Sequence, residues 1–203
     1  NIFSVLQIQS KEVLICRMIA DLLNPRGQHG AGAEYLKIFL RDCLGMEKMD
    51  TKLADQAIVT AEYAIDDERR IDIVIEIGSY FLPIEVKIYA ADQKSQCFDY
   101  YQYAKRRDAQ AKVYYLTLDG HRPGKDSTSS GSQSVPEEDI VCLSFREHIL
   151  NWLKACKSCE NTGMIPILEQ FIRNIEQISG YTSERVRNMV IDELLTSGDS
   201  LRA

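Results

Sequence analysis

The sequence predicts an α/β domain in which a central mixed β-sheet is flanked by helices, with further helices towards the C-terminus. The predicted elements follow one another in the order helix, strand, strand, strand, helix, strand. In the middle of that series, residues 69–88 read as two strands joined by a tight turn. Charged residues alternate with aliphatic ones at the start of the first strand, and the second is rich in β-branched and aromatic residues.

Length and composition indicate a single domain over residues 1–203. The chain has 203 residues, 45% of them apolar and 27% charged, which is ordinary for a globular protein with a substantial core. We expect a core at about 5–118, a mobile loop at about 119–139 and a C-terminal helical part at about 144–203. The chain opens on Asn1 rather than Met, so we expect a piece of a longer protein. It contains no run of about 18 apolar residues, so no membrane span is predicted.

Charge and cysteine content bound the function. A net charge of −6 argues against a protein coated in positive charge, but nucleic acid is not excluded, because local clustering decides such binding. The six cysteines are scattered, and Cys156-x-x-Cys159 has no second pair with which to complete a zinc site. We therefore interpret them as packing or surface thiols, which fit a reducing cytoplasm.

The N-terminal part is predicted to hold two helices. Residues 5–23 form a strongly apolar helix that ends before Pro25. Glu12 shares a helical stripe with apolar residues, so its carboxylate either points inward and needs a partner or reaches to water from the helix end. A Gly-rich turn follows, in which we interpret His29 as a cap rather than a site residue, and then a helix at 33–44.

A strand at 57–65 precedes the hairpin and carries Glu62 in its second half. This carboxylate is either a further metal ligand or a charge on the strand edge, and we favour the edge charge. Residues 66–68 form an acidic turn into the hairpin.

The hairpin turn fixes a pairing register. If Gly78-Ser79 is the two-residue loop, paired positions sum to 157, which places Asp72 opposite Glu85 and Arg70 opposite Lys87. Opposed residues share a sheet face with Cβ atoms roughly 4.5–5.5 Å apart, and like charges there are destabilising. A register slip by one residue would put the two acids on opposite faces.

Two opposed carboxylates with apolar flanks need a shared proton or a cation between them. A hard cation held by one or two carboxylates, and completed by water and substrate phosphate, is the usual arrangement for magnesium. A basic side chain that neutralised both acids would remove this requirement.

A helix is predicted at residues 91–107. Four of its residues form one polar and aromatic stripe at helical spacing, namely Gln93, Gln96, Tyr100 and Tyr103. Such a stripe contacts substrate or packs with its hydroxyls at the rim. The helix ends in a basic cluster that Lys112 extends, composed of Lys105, Arg106 and Arg107; it either stabilises the helix C-terminus or binds phosphate.

The rest of the chain is predicted as a strand at 112–118, the loop at 119–139, a short edge strand at 140–143 and three helices. Ser144 and Glu147 form a capping box for the first of these helices, which runs to residue 157. The others lie at 165–178 and 183–195.

With these elements placed, the chain resembles the PD-(D/E)XK nuclease superfamily, whose core follows the same order. The likeness is carried by Asp72 on one strand and by Glu85-Val86-Lys87 on the next. Gln96-x-x-x-Tyr100 is similar to the Gln and Tyr of the recombination-exonuclease branch. The chain looks closer to an uncharacterised bacterial branch, through residues 22–30, 115–120 and 143–153. Ile71 stands where Pro is frequent in the superfamily.

The resemblance implies a restriction-endonuclease-like core and a Mg²⁺-dependent nuclease, with Mn²⁺ as a substitute, that hydrolyses phosphodiester bonds. It favours DNA over RNA as the nucleic acid, a role in bacterial defence or repair, and is compatible with a homodimer. The implied catalytic residues are Glu12, Asp72, Glu85 and Lys87. The implied metal ligands are Asp72, Glu85, the Val86 carbonyl and Glu12. The implied substrate-binding residues are Arg70, Gln96, Tyr100, Lys105 and Arg106.

Other interpretations stay open at this stage. The hairpin charges alone also fit a solvated surface ladder. A catalytically inactive nuclease-like module would bind nucleic acid or a protein partner without cleaving anything. An interaction scaffold built from the last three helices would be favoured if the basic cluster at 105–112 and the hairpin acids lay on opposite faces.

Overall fold

A computed structural model describes residues 1–8, 11–47, 49–159 and 162–180. The helices are α1 (Ile2–Val5), α2 (Glu12–Leu23), α3 (Glu34–Asp42), α4 (Thr51–Ala54), α5 (Gln96–Arg107), α6 (Leu150–Cys156) and α7 (Ile165–Ile178). The strands are β1 (Ile58–Ala64), β2 (Arg70–Ile77), β3 (Tyr80–Lys87), β4 (Val113–Thr117), β5 (Ser129–Ser130), β6 (Gln133–Ser134) and β7 (Ile140–Ser144). The helix predicted at 183–195 lies outside the described residues.

The main sheet has five strands in the order β1-β2-β3-β4-β7. The pairs β1–β2 and β2–β3 are antiparallel, whereas β3–β4 and β4–β7 are parallel. A parallel connection needs a crossover, and α5 supplies the one between β3 and β4. The predicted class, a mixed sheet flanked by helices, is confirmed. Among the described residues, no helix combines the length and hydrophobicity that a bilayer crossing requires.

The two faces of the sheet are covered differently. The larger core joins α2, α3, α6 and α7 to residues such as Ile84 and Val86 of β3. The other face packs under α5, where Tyr100 meets Tyr115 of β4. Because side chains alternate along a strand, Glu85 and Lys87 lie on the α5 side. That side carries the candidate site.

The hairpin register is confirmed. The β2–β3 pairs run from Ile77–Tyr80 to Ile73–Ile84, all with the predicted sum of 157. Gly78 has φ +57°, a conformation that glycine adopts at little cost and that a tight turn requires. Asp72 is the residue just beyond the last ladder pair.

Regular strand structure lapses around Asp72. Its predecessor Ile71 packs on the α5 side together with Val74, whereas Ile73 packs on the opposite side, so the alternation of β2 breaks here. On the other flank, the β1–β2 ladder skips Glu62, which has φ +53°. The backbone groups near Asp72 therefore depend on partners other than the ladder.

Two predicted helix boundaries are wrong. The single helix expected at 5–23 is divided into α1 and α2, because Gln7 has φ +54° and Lys11 is extended. The helix expected at 91–107 begins at Gln96, since Ser95 has φ +56°. Gln93 is consequently not part of the predicted helical stripe.

The segment 119–139 is more ordered in structure than expected. It contains the β5–β6 pair, so the prediction of a loop without secondary structure is wrong there, and its mobility stays a prediction. The capping role of Ser144 is confirmed: a π-helical stretch, Phe145–Ile149, precedes α6, and Ser144 Oγ at its start accepts from Glu147 N over 3.1 Å. His148 Nδ1, rather than the Glu147 carboxylate, accepts from Ser144 N over 3.1 Å.

Candidate active site

Asp72 and Glu85 meet at the end of the hairpin, as the register predicts. Both carboxyl groups line one cleft and interact electrostatically, and Glu85 is only 1% exposed. Burial, reinforced by the charge of Asp72, raises the pKa of Glu85 well above its usual range. Burial also raises the pKa of Asp72. Two full negative charges are thus unfavourable here, and the pair requires a shared proton or a cation.

Lys87 neutralises one member of the pair. Its Nζ lies 2.5 Å from Glu85 Oε1, and the lysine is 7% exposed. Burial alone would lower the pKa of Lys87, but the charge and hydrogen bond of Glu85 outweigh it, so the net shift is upward. Within the described part of the chain, Lys87 forms no ion pair with Asp72. The condition that would have removed the need for a cation, one base neutralising both acids, is therefore not met.

The site acids replace missing ladder bonds. Val86 N donates to Asp72 Oδ2 over 2.8 Å, and Ile88 N donates to Glu12 Oε2 over 2.6 Å. Val86 lies on β3 past the last β2–β3 pair, and Ile88 directly follows the end of β3. Glu12 is the first residue of α2, and its carboxylate does have the partner that an inward-pointing acid needs.

One carboxylate oxygen has no donor. Among the described residues, Glu85 Oε2 is buried and accepts no hydrogen bond. Its neighbour Asp72 is itself an acceptor when ionised, so it satisfies this oxygen only when the pair holds a proton. A buried acceptor without a partner costs about 1–3 kcal/mol. A cation that bound this oxygen would remove the free-energy penalty.

A cleft of about 260 Å³ joins the predicted residues. It is lined by Glu12, Arg70, Asp72, Glu85, Lys87, Gln96 and Tyr100, together with Glu68, Arg69, Ala90, Ala91 and Gln93. Four of these residues are acidic and three are basic, so the lining carries a formal charge of −1.

One wall of the cleft is a hydrogen-bonded pair on α5. Gln96 Nε2 donates to Tyr100 OH over 3.1 Å, and Tyr100 OH donates to the carbonyl of Arg70 over 2.5 Å. Both side chains are buried. The pair ties the start of α5 to the start of β2, while the Arg70 side chain lies exposed at the cleft.

Lys105 and Arg106 do not line the cleft. They lie near the opposite end of α5 from Gln96, nine residues or roughly 14 Å along the axis. Lys105 Nζ is 3.2 Å from an Asp139 oxygen, and Arg106 lies over the Tyr103 ring at 5.5 Å. Since α5 covers the face that carries Glu85, the basic cluster and the acids share one side of the sheet. The arrangement that would favour a scaffold is not found, and substrate binding by these two residues stays a prediction.

Arg69 is a cleft residue that the sequence did not single out. Its guanidinium donates to Asp99 Oδ2 over 3.1 Å, to Gln93 Oε1 over 2.8 Å and to the Lys94 carbonyl over 2.6 Å. It thereby holds the loop before α5 against the start of β2. Its neighbour Arg70 is predicted to bind substrate, which points to this position. The loop that Arg69 contacts, however, is predicted as part of the helix at 91–107.

Two other residues prove structural. His29 is 3% exposed, its Nδ1 accepts from Ala31 N over 3.0 Å within the turn, and its ring stacks on Tyr35, so it stabilises the turn and does not cap α3. Glu62 forms an ion pair with Arg17 at 2.6 Å and does not line the cleft, as the edge-charge interpretation requires.

The donor set fits a hard cation that water and substrate complete. In the described ranges, no group of three or more His, Cys, Asp or Glu side chains is arranged to hold a metal ion. The site therefore does not surround a metal ion with protein ligands alone. It does offer two carboxylates that interact electrostatically, a buried Glu85 oxygen without a donor, and Glu12 in the same cleft. Magnesium commonly uses one or two carboxylates and keeps several waters, so these residues suit it.

Comparison with known proteins gives one match. The family model described as PD-(D/E)XK nuclease superfamily matches residues 1–174, a span that includes every residue of the candidate site. No curated protein and no solved structure matches the chain.

Proposed function

Because the chain belongs to the PD-(D/E)XK nuclease superfamily, we propose that it is a metal-dependent nuclease that hydrolyses phosphodiester bonds of nucleic acid, with DNA preferred. The observation that carries the proposal is the meeting of Asp72 and the buried Glu85 in one cleft, with one Glu85 oxygen left without a donor. A purely structural ion pair would not need the second acid.

The charge of the cleft supports a cation. A lining charge of −1 repels a phosphodiester, which also carries one negative charge, whereas a divalent ion would make the site attractive to it. We propose Mg²⁺, with Mn²⁺ as a substitute, held by Asp72, Glu85 and the Val86 carbonyl. Glu12 would complete this site or hold a second ion. When bound, the ion supplies Lewis acidity that lowers the pKa of water and offsets charge on the phosphate.

Lys87 acts as a cation rather than as a base. Its acidic neighbours raise its pKa, so it carries a proton at neutral pH and has no lone pair with which to accept another. A protonated lysine on the same face as Glu85 can orient the attacking water and stabilise negative charge that develops on the phosphate. Its ion pair with Glu85 keeps the ammonium in place before substrate arrives.

The remaining predicted site residues position the nucleic-acid strand of the substrate. Arg70 is exposed at the cleft and can contact a phosphate, while Gln96 and Tyr100 shape the wall opposite the acids. We assign Lys105 and Arg106 to phosphates farther along the substrate.

Cleavage of labelled DNA tests the proposal directly. Wild-type protein should cleave single- or double-stranded DNA with Mg²⁺ or Mn²⁺ and not with EDTA. The Asp72→Asn and Lys87→Ala variants should each lose at least about 100-fold in rate, the scale of removing one preorganised electrostatic group. Glu76→Gln is the matched control, because Glu76 is a β2 carboxylate that pairs with Arg107 outside the cleft.

Two outcomes would contradict the proposal. One is cleavage that Asp72→Asn leaves intact. The other is a wild-type protein that binds DNA and never cleaves it with either metal, which is what the catalytically inactive module predicts. A parallel assay on RNA settles the substrate preference. A role in bacterial defence or repair, a cytoplasmic location and a homodimer stay predictions.

A further inference from the structure

A second cavity, of about 480 Å³, lies in the segment 119–139 outside the candidate active site. Its lining includes three apolar residues, Pro123, Val135 and Ile140. Val135 and Ile140 are buried and pack against Phe98 of α5. The volume falls within the roughly 300–1,000 Å³ range of small-molecule sites, which are mostly apolar with a few polar groups.

The rim of this cavity carries two cations. Arg122 and Lys125 both line it and are exposed. Arg122 Nη2 donates to the Glu137 carbonyl over 3.2 Å, and neither cation forms an ion pair with a carboxylate in the described part of the chain. Glu137 also lines the cavity, so the formal charge of the lining residues is +1. An anion is therefore favoured here, in contrast to the acidic cleft.

The cavity and the cleft share a wall. Asp92 accepts from Gly124 N, next to Lys125, over 2.7 Å, and from Tyr115 OH over 2.7 Å. The neighbours of Asp92 along the chain, Ala91 and Gln93, line the cleft. A second tie, from Ser95 N to the Asp126 carbonyl over 2.7 Å, holds the same two segments together. The loop that lines the cleft is therefore bonded directly to the segment that lines the cavity.

We propose that this cavity binds one nucleotide of the substrate strand, with the base on the apolar floor and a phosphate held by Arg122 and Lys125. Single-strand sites combine cationic side chains with a surface for the face of a base; that surface is aromatic in the recurring design and aliphatic here. A base reaches the floor only when it is unstacked, so the subsite selects single-stranded or frayed nucleic acid. The inference rests on the proposed function only in that the same strand enters the cleft.

Binding without cleavage tests the subsite. Anisotropy of a fluorescein-labelled 16-nucleotide single strand, in DNA and RNA forms, is measured in EDTA against a duplex of the same sequence. We expect wild-type protein to prefer the single strand, and Arg122→Ala with Lys125→Ala to weaken that binding at least tenfold. Because each phosphate contact contributes about 0.7 to the salt dependence for single strands, loss of this one contact should lower the slope by about 0.7.

A charge-matched control separates the subsite from bulk electrostatics. Lys52→Ala with Arg173→Ala removes the same two types of charge from exposed positions that line neither the cavity nor the cleft. This variant should bind like wild type. Thermal melts of both double variants confirm folding. With Mg²⁺, the cavity variant should cleave DNA with a higher KM than wild type and with the same kcat.

Small ligands test the base and the phosphate separately. Thymidine 5′-monophosphate, titrated into metal-free protein and followed by NMR, should perturb Val135 and Ile140 and bind more tightly than inorganic phosphate. Equal affinity for the two ligands would overturn the nucleotide assignment. The assignment would also be overturned if the cavity variant and the control variant had the same affinity for the oligonucleotide and the same salt slope. Because these experiments contain no metal, they succeed or fail independently of whether Asp72→Asn abolishes cleavage.

Discussion

The two paired acids should respond oppositely to the same chemical change. Asp72→Asn removes one charge from the buried pair, keeps an oxygen that can accept from Val86 N, and adds an amide donor beside Glu85 Oε2. Glu85→Gln also removes one charge but takes the ion-pair partner from Lys87, which is only 7% exposed. We therefore expect the first variant to be more stable than wild type in EDTA and the second to be less stable.

The magnitudes follow from the contacts. Satisfying a buried acceptor is worth about 1–3 kcal/mol, and a domain of 150–250 residues gains roughly 2–4 °C in Tm per kcal/mol. Asp72→Asn should thus melt roughly 2–12 °C above wild type. Leaving a buried cation without its partner costs about 3–5 kcal/mol, although movement of Lys87 to solvent would reduce that figure, so a loss of at least about 5 °C is expected for Glu85→Gln.

Thermal denaturation in EDTA, followed by circular dichroism, measures both variants. The same melts in excess Mg²⁺ should stabilise wild type, since a ligand that binds only the folded state raises Tm, and should leave Asp72→Asn unchanged. The reasoning is refuted if Asp72→Asn lowers Tm in EDTA, or if both variants shift Tm in the same direction by similar amounts.

Three further predictions concern single residues around the site. Glu12→Gln keeps an oxygen for Ile88 N, so the melting temperature should stay within about 2 °C of wild type while DNA cleavage falls at least tenfold. Gly78→Ala forces φ +57° on a residue with a Cβ and should cost about 1–2 kcal/mol in urea unfolding, whereas Ser79→Ala should cost little; equal effects would contradict the role of the turn. Tyr100→Phe removes the hydroxyl that joins Gln96 to the Arg70 carbonyl and should cost about 1–2 kcal/mol; an unchanged stability would show that this wall is not held by that bond.

The hairpin and its site were predictable because local rules agree there. Gly78-Ser79 fixes the turn, the turn fixes the sum of paired positions, and the period of two then places Asp72 and Glu85 together. The strand boundaries of β2 follow from the same pattern, and the family likeness adds Glu12 through its place in the element order.

The misplaced boundaries have a different origin. Gln7 and Ser95 adopt left-handed backbone conformations that neither residue type announces in a sequence. The start of α5 is instead decided by distant residues. Cys97 N donates to Ser127 Oγ over 3.3 Å, and Phe98 N donates to the Ser127 carbonyl over 3.0 Å. Contacts between residues about 30 positions apart in the chain leave no periodic signal in the sequence. The start of α5, the wall between the cleft and the cavity, and the cavity itself could therefore not be predicted.

The most direct test of the account is a crystal of the wild-type protein soaked in Mn²⁺ and measured at an anomalous wavelength. We predict an anomalous peak between the carboxylates of Asp72 and Glu85, which disappears in Asp72→Asn crystals soaked in the same way. A featureless site in the wild-type crystal, with the Lys87 ammonium still on Glu85 and Asp72 turned away, would contradict the claim that this acid pair exists to hold a divalent cation.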